Sequence, residues 1–590
     1  MDSLAIYFAN AIPYNSLQKT KPHILRQSLP LQNRTGEVKA MIVRETPARS
    51  THEVINQPPP LEEYNLYETD KILKEALRRE GATWAEDLVS RLGAIVGSRD
   101  MIEAGFQANR FTPTLRTHDR FGNRIDEVEY HPAYHRFMQT SMKWELHSLP
   151  WSDLRAGSHV ARSAMMYLMC QTEPGHLCPI SMTFAAVPTL RHQSEIATEW
   201  EPRLFSSNYD ERFLPVSMKR SATIGMAMTE KQGGSDVRAN TTRAVAVGRG
   251  GSGEEYEITG HKWFCSAPMC DAFLTLAHTD KGLSCFLVPR WTEGERNRFF
   301  IQRLKDKLGN RSNASSEIEY DGARARMIGE EGRGVATIIE MVAHTRLDCA
   351  VTSAALMRQA VSQAVHHTGH RSAFGKLIAD QPLMQNVLAD LALEAEAATV
   401  SVMRLARAYD ESQSDEGARS FRRLATAVLK YWICKRAPGH VYESLECLGG
   451  NGFVEESLMA RLYREAPLSS IWEGSGNVIC LDVLRAMGRE PQSVSLFIDE
   501  LELSRGANKR LDEFIVELQK ELSDRANIEQ RARIVTGRMA LALQAALVVR
   551  NSPSFVSDAF CESRLKSVSG VYGGLSDGID FRNIIERASV

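Results

Sequence analysis

The sequence predicts a mainly α-helical α+β protein in which one β-domain sits between helical blocks. Three observations carry this. The chain has 590 residues, more than one hydrophobic core serves, so several domains are expected. Apolar residues recur at helical spacing in the first third of the chain and again in its second half. Between those stretches stand short strand-like runs broken by turns. The bulk numbers narrow the class. Hydrophobic content of 43% and charged content of 24% are ordinary for a globular protein. The net charge of -2 excludes an overall polycation, so any nucleic-acid contact needs a local patch. The ten cysteines are scattered singly, with no C-x-x-C pair and no zinc spacing. No metal is expected, and a reduced, cytoplasmic protein is the simplest reading. No apolar run reaches the ~18 residues that a membrane helix needs.

Residues 1–40 carry Lys19, Lys21, Arg26, Arg34 and Lys39 against Asp2 and Glu37. No apolar core with a cleavage site follows. The stretch reads as a disordered extension, with Met41 as an alternative initiator; a basic, acid-poor organellar leader is the other reading.

Residues 41–215 read as an N-terminal α-domain. Asp70 is a plausible N-cap before Ile72, Leu73, Ala76 and Leu77 at helical spacing. Ala161–Thr172 is a second helix, whose Met165, Met166, Leu168 and Met169 suit either core packing or a ligand wall. Cys178-Pro-Ile-Ser-Met-Thr-Phe184 reads as a connection without a chemical role.

Residues 216–325 read as the central β-domain. Its strand-like runs are Tyr256–Gly260, Ala272–Ala277, Leu283–Val288 and Ser316–Tyr320. Residues 326–490 return to helical periodicity, from Gly332-Arg-Gly334 through Ile338, Ile339, Val342 and Arg346. Arg371 and Phe374 lie three apart, so they share a helix face if the helix runs that far. Residues 491–590 form a further helical block, with Leu511, Phe514, Ile515 and Leu518 on one stripe. In its middle, Arg525, Arg531, Arg533, Arg538, Arg550, Arg564 and Lys566 outnumber Glu529, Asp558 and Glu562. On residues alone that excess is either a solvated helix face or a phosphate-binding surface.

The stretch Met226-Ala-Met-Thr-Glu-Lys-Gln-Gly-Gly-Ser-Asp-Val237 carries the most function per residue. It opens as a buried strand containing Met226 and Met228. Thr229 ends the strand with a hydroxyl that can hydrogen-bond a heterocycle. Gly233 and Gly234 then free the backbone to approach a ligand, where a Cβ would block it. With Ser235 they make a concavity suited to a phosphate. A hairpin turn without a ligand is the even alternative. Downstream, Trp263-Phe264-Cys265-Ser266 offers a ring wall and a hydroxyl, although aromatic residues more often fill a core. Glu473 stands between Trp472 and Gly474-Ser-Gly476, so an indole can desolvate it while glycines admit a ligand. A desolvated carboxylate has its pKa raised toward working pH, which suits proton abstraction. An exposed loop glutamate is the plain alternative.

These motifs occur in an order that resembles the acyl-CoA dehydrogenase family. They are Met228-Thr229-Glu230 with Gly234-Ser235-Asp236, Gly260–Ser266, Lys307-Leu-Gly-Asn-Arg311, Arg371–Gly375, Gly449-Gly-Asn-Gly452 and Ile471–Asn477. Met226–Val237 and Arg303–Ala314 resemble one branch of it, flavoproteins of the adaptive response to DNA alkylation. The resemblance covers the chain from about Met41 to near the C-terminus. It implies an N-terminal helical domain, a central β-barrel-like domain and a C-terminal four-helix bundle; the block after 490 has no counterpart in the ordinary short members. It also implies FAD, held by Met226, Met228, Thr229, Gly234, Ser235, Phe264, Cys265, Ser266, Trp472, Ser475 and Asn477. Arg371, Phe374 and Gln381 would reach the adenine dinucleotide half on a neighbouring subunit of a homotetramer. Glu473 would be the base that takes the α-proton of an acyl-CoA. Trp472 replaces the family's usual tyrosine, and the larger indole could narrow the pocket. The branch further implies non-specific binding of double-stranded DNA, for which Arg485, Arg531, Arg533, Arg564 and Lys566 are the candidates. Two functions follow from it. One is a DNA-protecting flavoprotein with weak, isovaleryl-CoA-like dehydrogenase activity. The other is a genuine acyl-CoA dehydrogenase of lipid or branched-chain amino-acid metabolism with no DNA role.

Overall fold

The computed structural model describes residues 29–32, 38–41, 51–566 and 570–590. The chain divides into two compact units, Met1–Ile55 and Asn56–Val590. In the first, Leu29–Gln32 pairs antiparallel with Val38–Met41. The expectation of a disordered extension over 1–40 otherwise falls outside the described residues.

The second unit begins with helices that follow their spacing. The Asp70 carboxylate accepts from the Leu73 N–H at 2.9 Å and caps Lys71–Arg79. Ile72, Leu73, Ala76 and Leu77 are all buried. Helix α1 (Ser158–Thr172) is buried at every residue, so its methionines are core. The stretch Cys178–Phe184 is not a connection; it lies inside helix α2 (Leu177–Leu190). Pro179 falls in the first turn of that helix, where its missing N–H removes no intrahelical bond.

The β-domain contains β1 (Ile224–Ala227), β2 (Arg243–Ala246), β3 (Glu255–Ser266), β4 (Ala272–Thr279), β5 (Gly282–Pro289), β6 (Phe299–Leu304) and β7 (Ser315–Ile328). They form a seven-stranded sheet in the order β6-β7-β3-β2-β4-β1, while β5 pairs with both β7 and β4. The second pairing closes a ring of β7, β3, β2, β4 and β5, with β6 and β1 at its margins. The strand β1 lies parallel to β4, with Met226 opposite Leu274. A core of Phe273, Phe286, Phe299, Tyr320 and their neighbours fills this domain.

Helices α3 (Gly334–His370), α4 (Pro382–Glu411), α5 (Glu416–Glu446) and α6 (Gly476–Arg489) make the C-terminal bundle, with α5 packed on the other three by apolar faces. Helix α3 stops at His370, and Arg371 is already extended. Arg371 and Phe374 therefore do not share a helix face. Ser372-Ala373 and Lys376-Leu377 pair instead as a hairpin, because Gly375 takes φ 79 in the turn.

The last block contributes α7 (Ile528–Asn551) and α8 (Ser554–Leu565). By length and composition α7 could cross a membrane, contrary to the expectation from apolar runs, but 78% of its most apolar window is buried in the fold. It is a core helix, packed on α4, α5 and α6. One apolar cluster joins Leu511, Phe514, Ile515, Val535 and Phe560 to Leu388 and Val428 of the bundle. A buried ion pair and a buried hydrogen bond reinforce the join. Arg587 meets Glu396 at 2.9 Å, and the Arg358 guanidinium donates to the Ala588 carbonyl at 2.7 Å. All ten cysteines are free and buried.

Candidate active site

The turn after β1 is held from beneath by a buried carboxylate. Glu230 accepts from the Thr241 N–H at 2.6 Å, the Thr242 N–H at 3.2 Å and Lys262 Nζ at 2.8 Å. Burial works against its charge, yet Lys262 and these N–H groups hold the carboxyl well below the ordinary range. Lys262 also donates to the Leu276 carbonyl at 2.9 Å, which ties the turn to β4. A Cβ on Gly234 would come within 2.3 Å of Thr229 Oγ1, so this close approach requires glycine. Gly234 and Ser235 are exposed; Met226, Met228 and Thr229 are half-buried.

Beyond a register shift opposite Ser316–Ile318, strand β3 alternates over Phe264–Ser266. Phe264 is 49% exposed and Ser266 is half-buried, while Cys265 between them is fully buried. The Cys265 side chain therefore faces the β-core, away from Phe264 and Ser266, and its carbonyl accepts from Ser316 Oγ at 3.0 Å. Ser266 Oγ lies 3.0 Å from Ser315 Oγ, which accepts from Lys307 Nζ at 3.0 Å. Burial pulls Lys307 down to about 8. The Ser266 hydroxyl is thus linked through Ser315 to the half-buried Lys307 ammonium. Lys307 belongs to the Lys-Leu-Gly-Asn-Arg motif, the one signal that singled it out beforehand.

Glu473 sits in the loop before α6 at φ 57, a left-handed conformation rare for a residue with a side chain. Its Oε2 accepts from Thr345 Oγ1 at 2.8 Å. Its carbonyl accepts from Arg346 Nε at 2.9 Å, and Arg346 is fixed by Asp482 at 2.8 Å. Lys430 Nζ donates to the carbonyls on either side, Trp472 at 3.0 Å and Gly474 at 2.5 Å. Burial pushes the Glu473 carboxyl above its ordinary value, against the Thr345 hydroxyl and the Arg346 and Lys430 charges. Trp472 packs on the same apolar cluster as Cys178, Met182, Met226 and Met228. Its buried indole N–H has no acceptor among the described residues. Ser475 is the N-cap of α6 without a side-chain cap bond, so its hydroxyl is uncommitted there. Asn477 Oδ1 accepts from Arg533 Nε at 2.8 Å.

Arg371, Phe374 and Gln381 form a second cluster. With Leu383, Gly449 and Asn451 they line a cleft of about 440 Å³. Arg371 donates to the Asn56 carbonyl at 3.0 Å, and Gln381 Nε2 to the Ala373 carbonyl at 3.2 Å. Phe374 is 100% exposed.

The basic candidates separate. Arg564 is 5% exposed and ion-paired with Asp390 and Glu394, the latter at 3.1 Å. It is a buried strut between α8 and α4 and faces no DNA. Arg531 is turned onto Glu521 and Asp524. Arg533 is exposed but bonded to Asn477, so it belongs as much to the cofactor motif as to any basic face. Arg485 keeps 56% of its side chain exposed beside Asp482, and Lys566 is exposed.

A ringed β-domain between helical blocks, with a half-buried carboxylate in the loop before the last bundle helix, defines the class. The chain belongs to the acyl-CoA dehydrogenase family of FAD-dependent oxidoreductases. Residues 225–323 match the acyl-CoA dehydrogenase middle domain and 332–488 its C-terminal domain. Residues 56–211 match the adaptive response protein AidB N-terminal domain. The chain is 44% identical over 524 residues to the putative acyl-CoA dehydrogenase AidB of Escherichia coli K12, covering 88% of this chain and 96% of that one. It is 32% identical over 480 residues to acyl-CoA dehydrogenase family member 11 of Caenorhabditis elegans, covering 76% and 75%. The crystal structure of C. elegans ACDH-11 in complex with C11-CoA superposes with a TM-score of 0.81 at 28% identity, covering 90% of this chain and 96% of that one.

Proposed function

We propose that this chain holds FAD non-covalently and dehydrogenates an acyl-CoA-type thioester, with Glu473 as the base, and that it also binds double-stranded DNA without sequence preference. The observation that carries the catalytic part is Glu473 itself, a desolvated carboxylate on a clamped loop beside Trp472. The surroundings fit a flavin. Phe264 presents a half-exposed ring, Met226 and Met228 are half-buried, and the Trp472 N–H lacks an acceptor among the described residues. Thr229, Gly234, Ser235 and Ser266 would hold the isoalloxazine and ribityl diphosphate from the β-domain, with Ser475 and Asn477 from the start of α6. When bound, the flavin supplies the hydride acceptor. The protein's own part is to orient the thioester, exclude water and take the α-proton on a Glu473 carboxylate oxygen.

Arg371, Phe374 and Gln381 would serve a neighbouring copy's cofactor in a homotetramer; the full exposure of Phe374 supports this reading. For DNA, the exposed Arg485, Arg533 and Lys566 remain, and contacts of this kind go to phosphate. A DNA-protective role in the alkylation response within the cytoplasm, with weak isovaleryl-CoA-like turnover, is the fuller form of the proposal.

The test is anaerobic flavin reduction by a panel of acyl-CoAs with and without duplex DNA. Flavin bleaching by at least one acyl-CoA is expected. A yellow protein that no acyl-CoA reduces would sink the dehydrogenase reading. Duplex retention that weakens as salt rises is expected in parallel; none even at low salt would remove the DNA role.

A further inference from the structure

Lys430 lies on α5 in an apolar run, where Val428, Leu429 and Ile433 are buried around it. Its own exposure is 1%. Among the described residues no carboxylate comes within ion-pair distance of its ammonium; its bonds go to the carbonyls of Trp472 and Gly474. The carbonyl between them, that of Glu473, is held by Arg346. Three consecutive carbonyls are thus fixed by two cations from two helices. Burying an ammonium without a carboxylate is expensive, and a methionine would fill the same space without that cost. A left-handed conformation at a residue with a side chain costs on the order of 1–3 kcal/mol and persists only where the surroundings over-determine it.

We infer that Lys430 is a positioning residue for the base: by gripping the carbonyls before and after Glu473 it holds that residue left-handed, with its carboxylate on Thr345. The inference rests on the reading of Glu473 as base. The charge matters as well as the grip. The groups facing Glu473 are Thr345, Arg346 and Cys349 from α3, Lys430 from α5 and Cys178 from α2. Arg346 shares the single Asp482 carboxylate with Arg423 and Arg485, so positive charge remains there and Arg346 also favours the ionised Glu473. Lys430 adds to it from α5 with no carboxylate partner among the described residues. Removing it lets desolvation act on the carboxyl more fully, so the base ionises at higher pH.

The experiment uses the FAD-loaded full chain and isovaleryl-CoA as probe, with any acyl-CoA that reduces the wild type faster as substitute. Flavin reduction is followed anaerobically across pH for wild type, Lys430→Met, Lys430→Arg, Lys430→Gln and Glu473→Gln. Hydrogen exchange of the 471–476 peptide is measured alongside. Lys430→Met should lower the limiting rate about 10–100-fold, since small misplacements of a catalytic group cost this much. KM should change little, the acid limb should move to higher pH, and the 471–476 amides should exchange faster. Lys430→Arg should return the limb toward wild type. Lys430→Gln keeps a donor and loses the charge, so it should shift the limb with a smaller change in exchange; it carries the test if Lys430→Met does not fold. A wild-type limb and wild-type exchange in both neutral variants, beside an inactive Glu473→Gln, overturns the inference alone. A wild-type rate in Glu473→Gln overturns the base reading beneath it.

Discussion

Two turns in this molecule share a backbone shape and differ in everything around it. Glu473-Gly474 and Phe374-Gly375 each pair a left-handed non-glycine residue, at φ 57 and 53, with a glycine at φ 111 and 79. Around the first, every carbonyl from Trp472 to Gly474 is bonded to a buried or half-buried cation. Around the second, Phe374 is fully exposed, and a Cβ on Gly375 would meet nothing within 4 Å. The same strain is secured from within one chain in the first case and left open in the second. A turn completed by its own chain can set the position of a reacting atom. An open one has an apolar ring to offer to something else.

The sharpest way to break this contrast is Glu473→Gln. It keeps size and hydrogen bonding and deletes the basic oxygen, so flavin reduction by acyl-CoA should fall by ~10²–10⁴ with FAD retained. The wild-type rate should rise with pH through a value above the ordinary carboxylate range, because burial raises the Glu473 pKa and the ionised form takes the proton. A flat profile down to the ordinary range would remove the desolvation argument. The basic residues repeat the contrast between tied and free groups. Arg564→Ala leaves Asp390 buried without its ion pair, while Glu394 keeps Arg436 at 2.9 Å, at a cost of about 3 kcal/mol of stability by denaturant melts. Lys566→Ala should lie within about 0.5 kcal/mol of wild type.

Next come the two glycines. An alanine Cβ at Gly474 would lie 2.8 Å from Ile479 Cδ1 as well as strain the backbone, so Gly474→Ala should cost about 2–3 kcal/mol. Gly375→Ala meets only the backbone penalty, about 1 kcal/mol. Equal losses would mean that the surroundings of the two turns do not differ in effect. Phe374→Ser should have the smallest effect on the stability of the single chain, within about 0.5 kcal/mol. Sedimentation of the same variant sharpens the comparison: assembly should weaken if the open turn serves a second copy.

What the sequence made legible follows from how local each feature is. Paired glycines after a strand were readable as a backbone freed for close approach, but the partner at Gly234 is the chain's own Thr229. The Asp70 cap was readable from the apolar spacing behind it. Cys265 was misplaced although strand alternation forbids it from sharing a face with Phe264 and Ser266. The Arg371–Phe374 spacing fits a helix face and a hairpin equally, and Gly375 was the residue that decided it. Arg564 could not be read, because Asp390 and Glu394 reach it across the chain from α4. Lys430 was hidden for the same reason: a lysine in a helix looks like a solvated tip until the loop above it is in place.

The burial of all ten thiols has its own outcome. Burial pushes each of them toward weaker acidity, Cys178, Cys270, Cys285, Cys447 and Cys561 to about 12. The thiolate is the form that electrophiles attack, so the folded chain offers them almost no nucleophile. An alkylating or oxidising agent that consumes exposed thiols elsewhere meets no exposed thiol here until the fold opens. Each described helix and strand then doubles as a shield, and thiol labelling of the intact protein becomes a clock for its unfolding.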